Sequence, residues 1–157
     1  MLTVRKMSQK KSAKLLVRNN LLATIQNSIG AKIFRKRYYR IGRKKTEILR
    51  DGDLSCAVFV SSVLKLFSLI RDVHTSVTGT VKGMKQYGWR EIKKPRPGSV
   101  IVWVPKYFKK NREMHKHIGF YTGNSNAVSN SSEKKSPQQH HWNNRGVEAI
   151  LWHKKIL

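Results

Sequence analysis

One run constrains this chain more than any other: Asp51-Gly52-Asp53-Leu54-Ser55-Cys56-Ala57-Val58-Phe59-Val60, continuing through Ser61 to Ile70. It holds the only cysteine, placed after turn-forming residues and at the head of the most apolar helical segment. From Cys56 onward, Phe59, Val63, Leu66, Phe67 and Ile70 recur at three- and four-residue steps, which predicts a helix with one buried face. Ser55 or Asp53 is placed to cap it by accepting from free backbone N–H groups. Cys56 then sits in the first turn, where unpaired N–H groups and the positive end of the helix dipole favour a thiolate. Cysteine is also among the most buried residue types, so the run by itself is equally satisfied by a core cysteine.

A chain of 157 residues is long enough for one domain with a real core. Its charge is extreme: 33 Lys and Arg against 8 Asp and Glu, a net charge of +25. That balance implies an anionic partner such as nucleic acid, anionic lipid or a carboxylate-bearing wall polymer. Residues 1–50 carry +14 and residues 93–157 carry +10, whereas residues 51–92 carry only +1. The cysteine helix therefore lies in the near-neutral middle. A single cysteine makes no internal disulfide and no structural zinc site by itself. Leu15-Leu16-Val17 after a basic start imitates an export signal, but Arg18, Asn19 and Asn20 cut the apolar run short, and no transmembrane stretch follows. The expectation is a soluble chain without a clear signal peptide, which leaves its location open.

Residues 1–11 are polar and basic and predict a frayed terminus. Leu15, Leu22, Ile25 and Ile29 form one stripe, predicting a helix over 12–29 stopped by Gly30. Residues 31–50 predict short strands or an irregular arm around Gly42. They are read first as a solvated face with Tyr38 and Tyr39 turned inward, and second as a basic aromatic surface for a polyanion through Arg40, Arg43, Lys44 and Lys45. Residues 1–50 are assigned as a basic helix and arm of the same unit as residues 51–157. Val77, Val81 and Met84 space a short helix ending near Gly88. Ser99–Val104 predicts the strongest strand, Pro105–Asn111 a basic loop, His117–Tyr121 a strand, Thr122–Asn126 a hairpin turn, and Ala127–Asn130 a third strand. Ser131–Asn144 reads as polar loop and Gly146–Trp152 as a last strand. Helices first and an antiparallel sheet second predict an α+β domain in which N-terminal helices pack on a C-terminal sheet.

A cysteine nucleophile needs a base, and the base an orienting group. Among six histidines, His117 is best placed, opening a strand anchored by apolar residues, and His115 shares its strand face by period two. Paired His140 and His141 with His115 and His117 lack a carboxylate pair and sit in a polar loop, so no metal and no cofactor is expected.

Cys56-Ala57-Val58-Phe59-Val60, Pro97-Gly98-Ser99-Val100-Ile101-Val102-Trp103 and His117-Ile118-Gly119-Phe120-Tyr121 together resemble the NlpC-type papain-like cysteine peptidases, and more distantly the CHAP amidases. The resemblance covers residues 50–130 in order and spacing. It implies a papain-like fold with Cys56 as nucleophile, His117 as general base and acid, and a polar residue on the next strand orienting His117. Asn130 is the candidate for that third place, with Ser129 the alternative if the register differs by one. The Cys56 N–H would contribute to the oxyanion hole, and Trp103 joins the basic arm as a candidate substrate or polyanion contact. Three departures stand out: Ser55 replaces the usual Asp before the cysteine, Ser99 replaces the usual Asp after Pro-Gly, and the usual third histidine is missing. The implied activity is hydrolysis of an amide bond in peptidoglycan stem peptides. A basic nucleic-acid-binding protein without catalysis, and acyl transfer on the same fold, are the alternatives.

Overall fold

In the computed structural model, residues 12–157 are described; the frayed terminus expected for 1–11 lies outside them. Helix α1 spans Val17–Asn27 and buries Leu21 and Ile25. It starts later than the apolar stripe suggests: Leu16 at its N-cap makes no side-chain cap, and Leu15 is exposed. Gly30, with φ +77°, turns the chain, and its N–H donates to the Pro137 carbonyl at 2.8 Å.

Strands β1 (Tyr38–Ile41) and β2 (Lys44–Glu47) form a separate hairpin, Ile41 opposite Lys44, around Gly42 and Arg43. Tyr38 and Tyr39 are exposed at 52% and 41%, against the inward packing expected of them. A two-stranded ribbon presents both faces to solvent, and cations cover the rings instead: Lys45 Nζ lies 4.7 Å from the Tyr38 ring centre and the Arg37 guanidinium 5.8 Å from that of Tyr39.

Helix α2 (Cys56–Leu66) buries Phe59, Val60, Val63 and Leu64. It stops short of Ile70 in a Schellman turn: Ser68 adopts φ +52°, its N–H reaching the Lys65 carbonyl, and the Leu69 N–H donates to the Leu64 carbonyl at 3.0 Å. Leu66, assigned to the buried stripe, is the last residue of the helix and is exposed. Helix α3 (Val77–Gln86) opens on Ser76, whose Oγ accepts from the Gly79 N–H, and ends at Gly88 with φ +103°.

Strands β3 (Arg90–Glu91), β4 (Val100–Phe108), β5 (Glu113–Gly123), β6 (Asn126–Ser131), β7 (Ser136–His141) and β8 (Val147–Trp152) form one antiparallel sheet in the order β3-β8-β4-β5-β6-β7. Two expected loops are therefore strand. Pro105–Asn111 is largely the far half of β4, and Ser131–Asn144 contains β7, an edge strand that carries proline near its start, where a missing N–H is tolerated.

One face of the sheet joins the helices in a core built on Phe59, Val60, Trp89, Val102, Ile118, Phe120 and Val128, with α2 packed on β5 and β6. The Phe59 ring meets Phe34 and Phe120 edge-on at 5.1 and 5.6 Å, tying the 31–37 segment to the sheet. The opposite face holds Ile101, Trp103, Ala127 and Ile150. Two local features shape that face. Around Pro105, β4 carries one residue more than β5 between the Trp103–His117 and Lys106–His115 pairs. At Gly119, β5 and β6 approach so closely that a Cβ would stand 2.6 Å from Ser129 Cβ and 2.7 Å from the Val128 carbonyl oxygen.

Candidate active site

A cavity of about 1000 Å³ opens beside the head of α2, and Cys56, His117, Ser129, His140 and Arg145 are among its lining residues. Cys56 reaches it because it is the first residue of α2. Neither expected cap serves this helix. Ser55 makes no side-chain cap bond and its buried Oγ has no partner, while Asp53 pairs with Lys135 at 3.3 Å. The nearby backbone N–H groups of Ile118, Ala57 and Cys56, with the Arg145 charge, favour the thiolate. Burial outweighs them and pushes the Cys56 thiol above the ordinary cysteine value, against the thiolate that the helix position alone implies.

His117 stands next to Ile118 on β5. Its Nε2 lies 2.8 Å from Ser129 Oγ, and that oxygen lies 2.7 Å from Nε2 of His140. His140 Nδ1 is 2.9 Å from the His141 carbonyl oxygen, which can only accept. Protons along this row are therefore assigned from its far end. With both rings neutral, His140 carries its proton on Nδ1, its Nε2 accepts from the Ser129 hydroxyl, and Ser129 accepts from a proton on His117 Nε2. His117 Nδ1 is left with its lone pair free. Trp103 packs against both rings, 5.4 Å from each between ring centres, and is itself anchored by donation from Nε1 to the Trp142 carbonyl at 2.8 Å. Burial, then the charges of Arg145 and His140, push His117 down to about 3, so the ring is neutral near pH 7.

The structure places Ser129, and not Asn130, against His117. Asn130 turns to the helix side of the sheet and donates from Nδ2 to the Gly52 carbonyl at 2.8 Å, tying down the loop before Cys56. The cause is a register irregularity: Thr122 is unpaired between the Tyr121–Ala127 and Gly123–Asn126 pairs, so Gly119 meets Ser129. Without that extra residue, Gly119 would oppose Asn130. His115 lies beyond the Pro105 bulge and pairs with Glu113 at 3.0 Å. Trp103 is fully buried and is a floor beneath the rings rather than a surface contact. Arg40, Arg43, Lys44 and Lys45 lie on the β1–β2 hairpin and do not line the cavity. Among the described residues no group of three or more His, Cys, Asp or Glu converges on a metal position, and no helix is long and apolar enough to cross a membrane.

The sequence named His140 only as a member of a histidine cluster weighed for metal, not as a partner of Ser129, and did not point to Arg145. The run Gln138-Gln139-His140-His141 carries no alternation that would mark His140, which the strand leaves half-buried while Gln139 and His141 are exposed. Arg145 is held by tertiary contacts: Nε donates to the Val104 carbonyl at 2.8 Å and Nη2 to the His115 carbonyl at 2.6 Å, bridging the β4 bulge.

No protein-family model matches this chain, and neither does a curated protein. Among solved structures, it is similar to NlpC2 from Trichomonas vaginalis, at 15% identity and a TM-score of 0.52, over 92% of this chain and 50% of that one. The chain thus spans about half the length of that structure. The likeness is one of fold: an NlpC-like arrangement of helices and antiparallel strands.

Proposed function

We propose that this chain is a cysteine amidase or peptidase in which Cys56 is the nucleophile, His117 the base and Ser129 the residue that orients it. The observation that carries this reading is the row of hydrogen bonds from His117 through Ser129 and His140 to the His141 carbonyl. It leaves the Nδ1 lone pair unspent on a ring that lines the same cavity as Cys56. Attack then proceeds from a neutral pair. The Sγ–C bond forms as the thiol proton moves to His117, and the Cys56 N–H supports the developing oxyanion. The imidazolium gives its proton to the leaving nitrogen as the C–N bond breaks. Water, deprotonated by the same ring, releases the acyl group, and the proton returns to the sulfur. The NlpC-like fold supports a peptide amide as substrate, and the sequence resemblance points to peptidoglycan stem peptides. An amine acceptor in place of water would make the same site an acyltransferase.

The test is the pH dependence of Cys56 alkylation by iodoacetamide, followed by turnover of stem-peptide fragments. Alkylation of the folded chain should slow about tenfold or more in His117→Ala and Ser129→Ala, whereas Asn130→Ala should leave it within about twofold. Turnover should vanish in Cys56→Ala. A Cys56 that reacts only in denaturant, or at a rate indifferent to His117, would sink the proposal.

A second reading rests on the hairpin, where exposed Tyr38 and Tyr39 lie under cations beside Arg40, Arg43 and Lys44. Rings and cations so interleaved suit an anionic polymer, nucleic acid included. That surface is separate from the cavity, so binding of a single-stranded oligonucleotide with a steep salt dependence, undiminished in Cys56→Ala, would support it.

A further inference from the structure

Among the described residues lining the cavity, most acids are already paired: Asp53 with Lys135, and Glu113 with Arg50 through two contacts of 2.9 and 3.1 Å. Of the cations, Lys116 pairs with Glu148. Arg145 differs, since no described carboxylate lies within ion-pair distance of it, and it is half-buried rather than free in solvent. Two of its five N–H groups are spent on the Val104 and His115 carbonyls, which hold the guanidinium in place. Three N–H groups and the full positive charge remain. Lys106 and Lys110 line the same cavity, likewise without a described carboxylate partner. A cation fixed by backbone carbonyls, with donors left over and beside a nucleophile, is a receptor for a planar anion.

We propose that Arg145 is a specificity-determining residue that binds a carboxylate on the substrate, so that the preferred amide carries a carboxylate group close to the scissile bond. This deepens the reading of Cys56 as the nucleophile and rests on it. Lys106 and Lys110 draw the anion in, and Arg145 holds it by a paired hydrogen bond.

The experiment compares iodoacetate with iodoacetamide on the full chain, since the two reagents differ by one carboxylate. The ratio of their rates with Cys56 cancels changes in thiol reactivity common to both. In the wild type this ratio should exceed that of the denatured chain and fall with added salt. In Arg145→Gln it should drop about tenfold, while Lys94→Gln, which removes the same charge at an exposed position outside the cavity lining, should change it less than about twofold. An unchanged ratio in Arg145→Gln, or an equal drop in Lys94→Gln, would overturn the assignment while leaving the nucleophile standing. A Cys56 inert to both reagents would overturn both readings. A measurement on the wild type needs no variant to fold: N-acetylglycine should slow alkylation by iodoacetamide more than N-acetylglycinamide does, and equal protection would count against a carboxylate receptor.

Discussion

Replacing Gly119 by alanine tests the packing beneath the proposed site. The residue is not in the left-handed region, so a side chain there meets no backbone strain, and the whole effect is steric. The new Cβ would lie 2.6 Å from Ser129 Cβ, 2.7 Å from the Val128 carbonyl oxygen and 3.0 Å from Trp103 Cζ3. Ordinary contacts need roughly 3.5–4.0 Å, so β5 and β6 must part by about 1 Å or the Trp103 ring must shift. Two of the three obstructing atoms belong to the backbone or to a Cβ fixed by it, which places the cost near the upper end of overpacking, about 3 kcal/mol. For a domain of this size each kcal/mol lowers Tm by about 2–4 °C, so thermal unfolding followed by circular dichroism should show a fall of roughly 6–12 °C. Ser129 is pushed off His117 by the same displacement, so iodoacetamide alkylation at neutral pH should slow as well. A Tm within about 2 °C of wild type would refute the close approach of the two strands.

Acid should weaken the fold before its carboxylates titrate. His117 is held at about 3 and His153 also lies below the ordinary imidazole value, burial leading in both. The unfolded chain therefore takes up protons below about pH 6.5 that the folded chain refuses. The contribution of His117 is complete above that pH and falls as pH drops toward 3, by at most about 1.4 kcal/mol per pH unit and less where the cavity wets the ring. His153 adds a loss of the same sign below about pH 6.5. Urea titrations between pH 7 and 5 should show this slope, and His117→Gln should flatten it. Cys56 acts on the alkaline side, its raised pKa removing stability above about pH 8.5. Ser61→Ala should cost about 1–3 kcal/mol, because the buried hydroxyl donates its one proton to the Ala57 carbonyl at 2.7 Å and accepts from the His74 N–H at 2.9 Å, which would be left without that partner. A lowered urea midpoint at unchanged slope is the expected signature.

What was legible in the sequence was what depends on near neighbours. The three- and four-residue rhythm of Phe59 and Val63 marks α2, and the continuous apolar run Val100–Trp103 marks a central strand, because burial of these residues is decided within a turn or a pleat. The apolar anchor after His117 marks β5, the strand that brings His117 to the cavity Cys56 also lines. For the residue against His117 the sequence offered Asn130, with Ser129 as the alternative for a one-residue shift. It could not choose between them because the unpaired Thr122 acts through strand register, which a hairpin turn read from sequence does not specify. β7 was missed because an edge strand needs no apolar alternation, and its residues Ser136 to His141 are polar apart from one proline. Arg145 was invisible for another reason: its position is set by carbonyls 41 and 30 residues away, freed where β4 bulges around Pro105.

The row of hydrogen bonds behind His117 ends on a peptide carbonyl, and that has a consequence for the kind of bond the site suits. A triad ending in an aspartate supplies a counter-ion that lets an imidazolium linger. Here the terminal oxygen carries no formal charge, and the nearest strong charge, Arg145, is of the wrong sign to shelter a second cation. A proton received by His117 is thus loosely kept, and a loosely kept proton makes a strong acid. In the proposed reaction such a site would draw little from its base and much from its acid, favouring substrates whose slow step is departure of a poor nitrogen leaving group over those, such as thioesters, whose leaving group needs no proton at all.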